Sequence, residues 1–325
     1  MRPVIGCLGA GRMGRGIAVV FAFAGHQVVV IDFKEREAAA FEALAAEARA
    51  EIRSTLEILS RIDLLAPELV ATIAERITIV PRQQAGAALP RCDVIFEGMP
   101  EILDLKQTAL AEASRLAGER PIIASTTSTI LVDDLAGAIE HPGRFLNAHW
   151  LNPAYLVPLI ELSPGKLTVS ETTARMKALL EGIGKVPVVC APRPGFIVPR
   201  IQSLAMNEAA RLVEEGVASA EDIDKAVIYG FGFRFAVLGL LEFIDWGGGD
   251  ILHHASRYLV DALGDSRYAA PEIIEANMRE GRIGMKTGQG FMNYDGVDQA
   301  AYREKRLAAF AAALRAMGLA RAPVA

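Results

Sequence analysis

Hydrophobic and polar positions along the first 190 residues follow two alternating periods. Short apolar runs, many of them β-branched, are separated by longer stretches in which apolar residues recur every three or four positions. The first pattern predicts buried strands, and the second predicts helices packed on them. The runs fall at residues 3–8, 28–32, 77–80, 93–97, 122–126, 144–150, 159–162 and 186–190, and helical periodicity fills 12–25, 35–60, 67–75, 106–116, 133–139 and 171–184. This alternation predicts an α/β fold of Rossmann type, a doubly wound parallel sheet over residues 1–191. The helical pair near 35–75 reads as an excursion from that sheet. After Ala191-Pro192-Arg193-Pro194-Gly195, a stiff turn-rich joint, strand signals stop. Residues 192–325 then read as an all-α domain. Its first helix, over 196–216, is interrupted early by Pro199. Ser219 and Asp222 make a capping-box-like start to the next helix. Further helices are expected at 235–244, 251–263 and 271–280, with a Gly-rich loop at 282–294 and an amphipathic helix at 300–317.

Composition removes several classes. With 325 residues, 52% of them hydrophobic, the chain can bury a sizeable core. Net charge is −5 and no basic block is interleaved with aromatics, so nucleic acid is not an expected partner. The longest apolar stretches are strand-length or broken by glycine, which predicts no membrane span. The start lacks the basic-then-apolar pattern of a secretion signal. Cys7, Cys92 and Cys190 lie in or beside β-branched runs without metal-ligand spacing. They read as small buried residues of a reduced, cytoplasmic protein without a metal site.

The first candidate chemistry lies between the first two strands. Gly9-Ala10-Gly11-Arg12-Met13-Gly14 is a G-x-G-x-x-G turn opening a helix, and Asp32 closes the next strand. Gly9 permits the tight turn, Gly11 permits backbone approach to a pyrophosphate, and Gly14 lets helix and strand pack closely. The helix N-terminus offers free N–H groups to the phosphates, with Arg12 and Met13 beside them. Asp32 stands where a carboxylate accepts the hydroxyls of a ribose. A 2′-phosphate would meet like charge there, which favours NAD over NADP.

A dinucleotide turn does not name a reaction. The deciding block is Arg144-Phe145-Leu146-Asn147-Ala148-His149-Trp150-Leu151-Asn152-Pro153, with Leu159-Ile160-Glu161 following. A histidine at the carboxyl end of a late strand faces the cofactor crevice and can serve as general base near neutral pH. A glutamate on the following strand can hold its other ring nitrogen.

The chain resembles the 3-hydroxyacyl-CoA dehydrogenase family, which includes L-gulonate and carnitine dehydrogenases and the lens λ-crystallins. The matches run in order through Gly9–Ala18, Glu97-Gly98-Met99-Pro100-Glu101 with Lys106, Ser125–Ser128, His149-x-x-Asn152-Pro153, Pro158–Glu161, Gly184-Lys185-x-Pro187-Val188, Pro194-Gly195-Phe196, Asn207-Glu208-Ala209, Glu214–Gly216 and Gly288-x-Gly290-Phe291. The resemblance implies that His149 takes the hydroxyl proton while hydride leaves for the nicotinamide of NAD. It implies that Glu161 orients His149 and that Ser128 bonds the reacting oxygen. Glu101, Lys106, Ser128 and Asn152 would lie near ribose and nicotinamide, and Lys286 would reach the cofactor from the Gly-rich loop. Blander readings stand beside these: a solvated helix-start pair for Glu101 and Lys106, a loop cation for Lys286, and a cap of helix 133–139 for Ser128. The family's dimers, and the Ala- and Leu-rich faces of the second half, imply a homodimer.

The departures concern the substrate. Pro199 replaces the family's usual Asn after Gly-Phe-Ile-Val and has neither side-chain donor nor N–H. The turn is Thr126-Thr127-Ser128-Thr129, and Arg234-Phe235-Ala236-Val237-Leu238-Gly239 replaces the usual Gly-Pro region. The excursion offers only Arg49, Arg53 and Arg61 as main cations for a coenzyme A phosphate. Arg234 can serve a free carboxylate instead, or a surface salt bridge. The leading expectation is NAD-dependent oxidation of an L-3-hydroxyacyl-CoA. The alternative is the same chemistry on a free 3-hydroxy acid, and a third is an inactive NAD-binding structural protein. The G-x-x-x-K pattern of the related 6-phosphogluconate-type enzymes is absent from the sequence.

Overall fold

The computed structural model describes residues 2–323, and among them eight strands form one sheet. In chain order the first part runs β1 (Ile5–Leu8), α1 (Arg12–Phe23), β2 (Val28–Asp32), α2 (Ala38–Arg61), α3 (Leu69–Ala74), β3 (Ile77–Pro81), α4 (Ala85–Ala88), β4 (Val94–Glu97), α5 (Leu103–Ala117), β5 (Ile122–Ser125), α6 (Val132–Ala136), β6 (Phe145–Trp150), β7 (Leu159–Pro164), α7 (Ser170–Gly182) and β8 (Val186–Val189). The strand order is β3-β2-β1-β4-β5-β6-β7-β8. The chain runs outward from β1 to β3 and returns to β4 on the other side of β1. That switch point opens a crevice at the carboxyl ends of the strands. Strands β1 to β6 are parallel, as the alternating pattern predicts. The last two reverse: β7 is antiparallel to β6, and β8 is parallel to β7. The loop 151–158 explains the reversal, because a parallel return needs a crossover of about a dozen residues or more.

Both faces of the sheet are covered, which is why its strands read as near-continuous apolar runs. Ile17, Phe21, Phe41, Ile52, Leu56 and Leu180 pack on one face, and Leu89, Leu110 and Leu135 on the other. The rings of Phe21, Phe96 and Trp150 meet in the first core, at 5.4 Å for Phe21–Phe96 and 5.6 Å edge-to-face for Phe96–Trp150. The excursion is docked on this face. Phe41, Ala45, Ala48, Ile52, Leu56 and Leu59 form a buried stripe along α2. Of the cysteines, Cys7 and Cys92 are buried as expected, whereas Cys190 is only half-buried, just past the end of edge strand β8.

The chain divides into two compact units, with the boundary between Ala205 and Met206. This boundary falls inside α8 (Val198–Glu214). Pro199 does not interrupt that helix. It occupies the first turn, where its missing N–H has no intrahelical partner to lose. The second unit contains α9 (Ala220–Ala226), α10 (Phe233–Phe235), α11 (Leu240–Gly247), α12 (Gly249–Leu263), α13 (Glu272–Arg279) and α14 (Gln299–Ala316). Ser219 caps α9 by accepting from the Asp222 N–H at 3.1 Å. A wide helical turn over Val227–Gly232 joins α9 to α10. The helix expected from Phe235 starts only at Leu240, because an unbroken apolar run hides the break at Gly239. The last helix forms where expected, but its apolar residues are spread around its circumference, so it is not amphipathic.

Candidate active site

The dinucleotide turn is built as its glycines require. Gly9 has φ +101°, and a Cβ at Gly14 would collide with the Gly9 carbonyl. A Cβ at Gly11 would meet no protein atom within 4 Å. The space over Gly11 therefore fits a ligand that approaches the backbone closely, as a pyrophosphate does. The first turn of α1 holds no acidic residue to compete for its N-terminal N–H groups. Arg12 is exposed there and Met13 half-buried. Asp32, 4% exposed, ends β2. Its Oδ2 accepts from Arg36 Nε at 2.6 Å. Asp32 Oδ1 takes no protein donor among the described residues and remains available to a ribose hydroxyl.

His149 and Glu161 face each other in register across the β6–β7 pair. His149 Nδ1 lies 2.7 Å from Glu161 Oε2. The other carboxylate oxygen accepts from the N–H groups of Ile197 and Val198, at 2.8 Å each. Glu161 is fully buried with both oxygens satisfied, and His149 is 6% exposed. The second donor belongs to the first residue of α8, so the positive end of that helix also favours the carboxylate. Phe196, in the left-handed region at φ +43°, stacks on the imidazole at 5.5 Å. With Nδ1 engaged, Nε2 is the nitrogen free to exchange a proton.

A second polar network supports the turn after β5. Glu101 Oε1 accepts from the N–H groups of Ser128 and Thr129, at 3.1 Å each, and from the hydroxyls of Thr127 and Thr129. Burial alone would raise the Glu101 carboxyl. The hydrogen bonds from Thr127 and Thr129 and the charge of Lys106 outweigh burial and hold it down at about 2. Lys106 is 1% exposed and donates to Glu97 at 2.9 Å and to the Met99 carbonyl at 3.1 Å. It also lies 3.4 Å from Glu101. Lys106 is thus neither a solvated helix-start cation nor an open cofactor contact, but a buried brace beneath the turn. Thr127 makes the local turn bonds, to Thr129 and Ile130. Helix α6 has no side-chain cap, so Ser128 does not serve as one. The Ser128 hydroxyl has no protein partner among the described residues.

Asn152 is exposed and lines a cavity of about 280 Å³ with Arg12, Arg15, Glu51, Thr55 and Tyr155. Arg15 and Lys185 carry weight that the motifs do not reveal. Arg15 donates to the Ala10 carbonyl at 2.7 Å, to Glu47 at 2.9 Å and to Glu51, tying α2 to the glycine turn. Glu47 and Glu51, one helical turn apart, were its only signal. Lys185 donates to the carbonyls of Ala154 at 2.6 Å and Val157 at 2.8 Å, bracing the loop that carries Asn152.

In the second unit, Lys286 pairs with Asp250 at 2.6 Å. The loop carrying it is pinned by Asp245, which accepts from the N–H groups of Phe291 at 2.9 Å and Met292 at 2.8 Å. Arg234 stacks on the Phe243 ring at 4.6 Å and has no acidic partner among the described residues, so the surface salt bridge is not formed.

A phosphate-ready glycine turn, an acid at the ribose position and a histidine–carboxylate pair along the same strand ends define an NAD-dependent oxidoreductase. The comparisons agree and narrow the class. The model of the 3-hydroxyacyl-CoA dehydrogenase NAD binding domain matches residues 4–193, and that of the C-terminal domain matches residues 195–294. The chain belongs to the 3-hydroxyacyl-CoA dehydrogenase family. It is 32% identical over 292 residues to 5-formyl-3-hydroxy-2-methylpyridine 4-carboxylate 5-dehydrogenase of Mesorhizobium japonicum, covering 89% of this chain and 90% of that protein. It is 30% identical over 288 residues to 3-hydroxybutyryl-CoA dehydrogenase of Clostridioides difficile, covering 89% and 98%. The solved structure of a 3-hydroxyacyl-CoA dehydrogenase from Archaeoglobus fulgidus superposes with a TM-score of 0.75 at 31% identity, covering 98% of this chain and all of that one. Among the described residues, no single helix is long and apolar enough to cross a membrane.

Proposed function

We propose that the chain oxidises the secondary alcohol of an L-3-hydroxyacyl-CoA to the 3-oxo compound, and runs the reverse reduction. The observation that carries this reading is the 2.7 Å His149–Glu161 bond, which commits Nδ1 and leaves Nε2 to accept the hydroxyl proton. The buried Glu161 charge stabilises the imidazolium formed in that step. Ser128 donates its hydroxyl to the substrate oxygen, and Glu101 with Lys106 acts one step back by holding the Ser128 turn. Gly9, Gly11 and Gly14 with the α1 N-terminus hold the cofactor phosphates, and Asp32 holds the ribose. Bound NAD supplies the hydride acceptor. Asn152 is the open polar group beside the nicotinamide end.

Coenzyme A needs a cationic phosphate site, and Arg53 and Arg61 supply one. Both line a cavity of about 400 Å³ on the excursion, with Glu57 also in its wall, and neither is ion-paired among the described residues. A specific observation favours the second reading, a free 3-hydroxy acid. Arg234 is preorganised by Phe243 with no acid of its own, while Pro199 removes a donor for a thioester carbonyl. Initial rates of NADH formation from L-3-hydroxybutyryl-CoA, free L-3-hydroxybutyrate, L-gulonate and carnitine separate the two. Turnover on the thioester, lost in Arg53→Ala/Arg61→Ala, supports the leading reading. Turnover on a free acid alone, with KM raised in Arg234→Ala, replaces it with the second.

The same reading makes the protein a cytoplasmic homodimer. None of the residues of α8 is fully buried within the chain, and Leu204 is 70% and Met206 62% exposed. A face of this kind calls for a second copy.

A further inference from the structure

We propose that Arg36 is a cofactor-selectivity residue that binds a 2′-phosphate beside Asp32, so that the chain accepts NADP far better than the carboxylate alone would permit. The acid at the end of β2 is the group that excludes a 2′-phosphate, by charge repulsion. Here that acid is not alone. Arg36 Nε bonds Asp32 Oδ2 at 2.6 Å, which neutralises much of its charge and fixes the guanidinium plane against the strand end. Only Nε is used. The two terminal nitrogens of Arg36 make no hydrogen bond, and no acidic residue other than Asp32 pairs with the guanidinium among the described residues; about a third of the side chain is exposed. A guanidinium held by one edge and free at the fork suits bidentate phosphate binding.

The surroundings leave this role to Arg36. A cavity of about 590 Å³ at this strand end is lined by Glu35, Arg36, Glu37, Arg82, Gln83 and Glu112. Arg82, the other cation, is already engaged: it bonds Glu112 at 2.5 Å, approaches Glu35 at 3.5 Å and stacks on Phe33 at 5.4 Å. Glu37 and the acids paired with Arg82 keep the cavity from being a general anion site. Arg36 is therefore the single cation that a 2′-phosphate can recruit. Its partner Asp32 still has Oδ1 for the neighbouring ribose hydroxyl.

The test measures NADH and NADPH affinity by calorimetry, together with kcat/KM for NAD and NADP. It uses the wild type, Arg36→Ala, Asp32→Ser and Asp32→Ser/Arg36→Ala. Arg36→Ala should weaken NADPH about 10-fold to 100-fold, the range for hydrogen bonds to a charged group, while NADH changes less than about threefold. Asp32→Ser should raise NADPH affinity, and adding Arg36→Ala should remove that gain. The proposal is overturned if Arg36→Ala leaves NADPH affinity unchanged or strengthens it. It is also overturned if Asp32→Ser gains NADPH affinity equally with and without Arg36, or gains none. Wild-type NADPH binding too weak to measure also overturns it.

Discussion

The β6–β7 corner and the helical second unit handle polar groups in opposite ways. At the corner every atom of the acid has a fixed partner: Glu161 gives one oxygen to His149 and the other to two backbone N–H groups. In the second unit, Arg234 rests on an aromatic ring with no acid, and much apolar surface is uncovered, with Ile251 63% and Tyr258 71% exposed. The contrast teaches where the variable part of the protein lies. The polar groups of the sheet corner are satisfied and fixed within the chain, while the cation and the apolar surface of the second unit are not.

The largest effect should come from the corner. His149→Ala should fold and bind NADH but lose about 10²–10⁴-fold in kcat; turnover close to wild type would remove the base assignment. Glu161→Gln should cost less, about 10–100-fold, the usual loss when a group orienting a catalytic histidine is weakened. An equal loss in both variants would mean that the carboxylate is as essential as the base. On the other side of the comparison, Leu204→Glu/Met206→Glu should turn a dimer into a monomer in sedimentation velocity; an unchanged species would move the interface away from α8. The smallest effect concerns Glu101. Its carboxyl is held at about 2 in the folded chain, below the usual 4.5. The stability it contributes is therefore complete above about pH 4.5 and fades as pH falls toward 2. With over a third of the side chain exposed, that contribution is at most about 1 kcal/mol. Urea unfolding at pH 6 and pH 3 should show a smaller acid-induced loss in Glu101→Gln than in wild type; identical losses would assign the acid sensitivity elsewhere.

Much of the corner was legible because it depends on local chemistry. The β1 turn announces itself through its glycines, of which Gly9 and Gly14 admit no side chain, and His149 and Glu161 sit on short apolar runs of strand length. What escaped depends on distance and direction. Chain reversal at β7 is set by the length of one loop, not by periodicity, since strands buried on both faces look alike in either direction. Lys106 resembles a surface cation until Glu97, nine positions upstream, is seen buried beside it. Arg36 was invisible as a selectivity residue because only the fold shows that its Nε is used and its fork is not. Pro199 reads as a helix breaker by composition and is harmless in the first turn.

The two N–H groups that grip Glu161 open one more use for this molecule. Amide protons donated at 2.8 Å to a carboxylate should resonate downfield of the crowded amide region. In isotope-labelled protein Ile197 and Val198 therefore serve as spectroscopic sentinels: two backbone signals expected to report, without substrate, whether the carboxylate behind the histidine is in place.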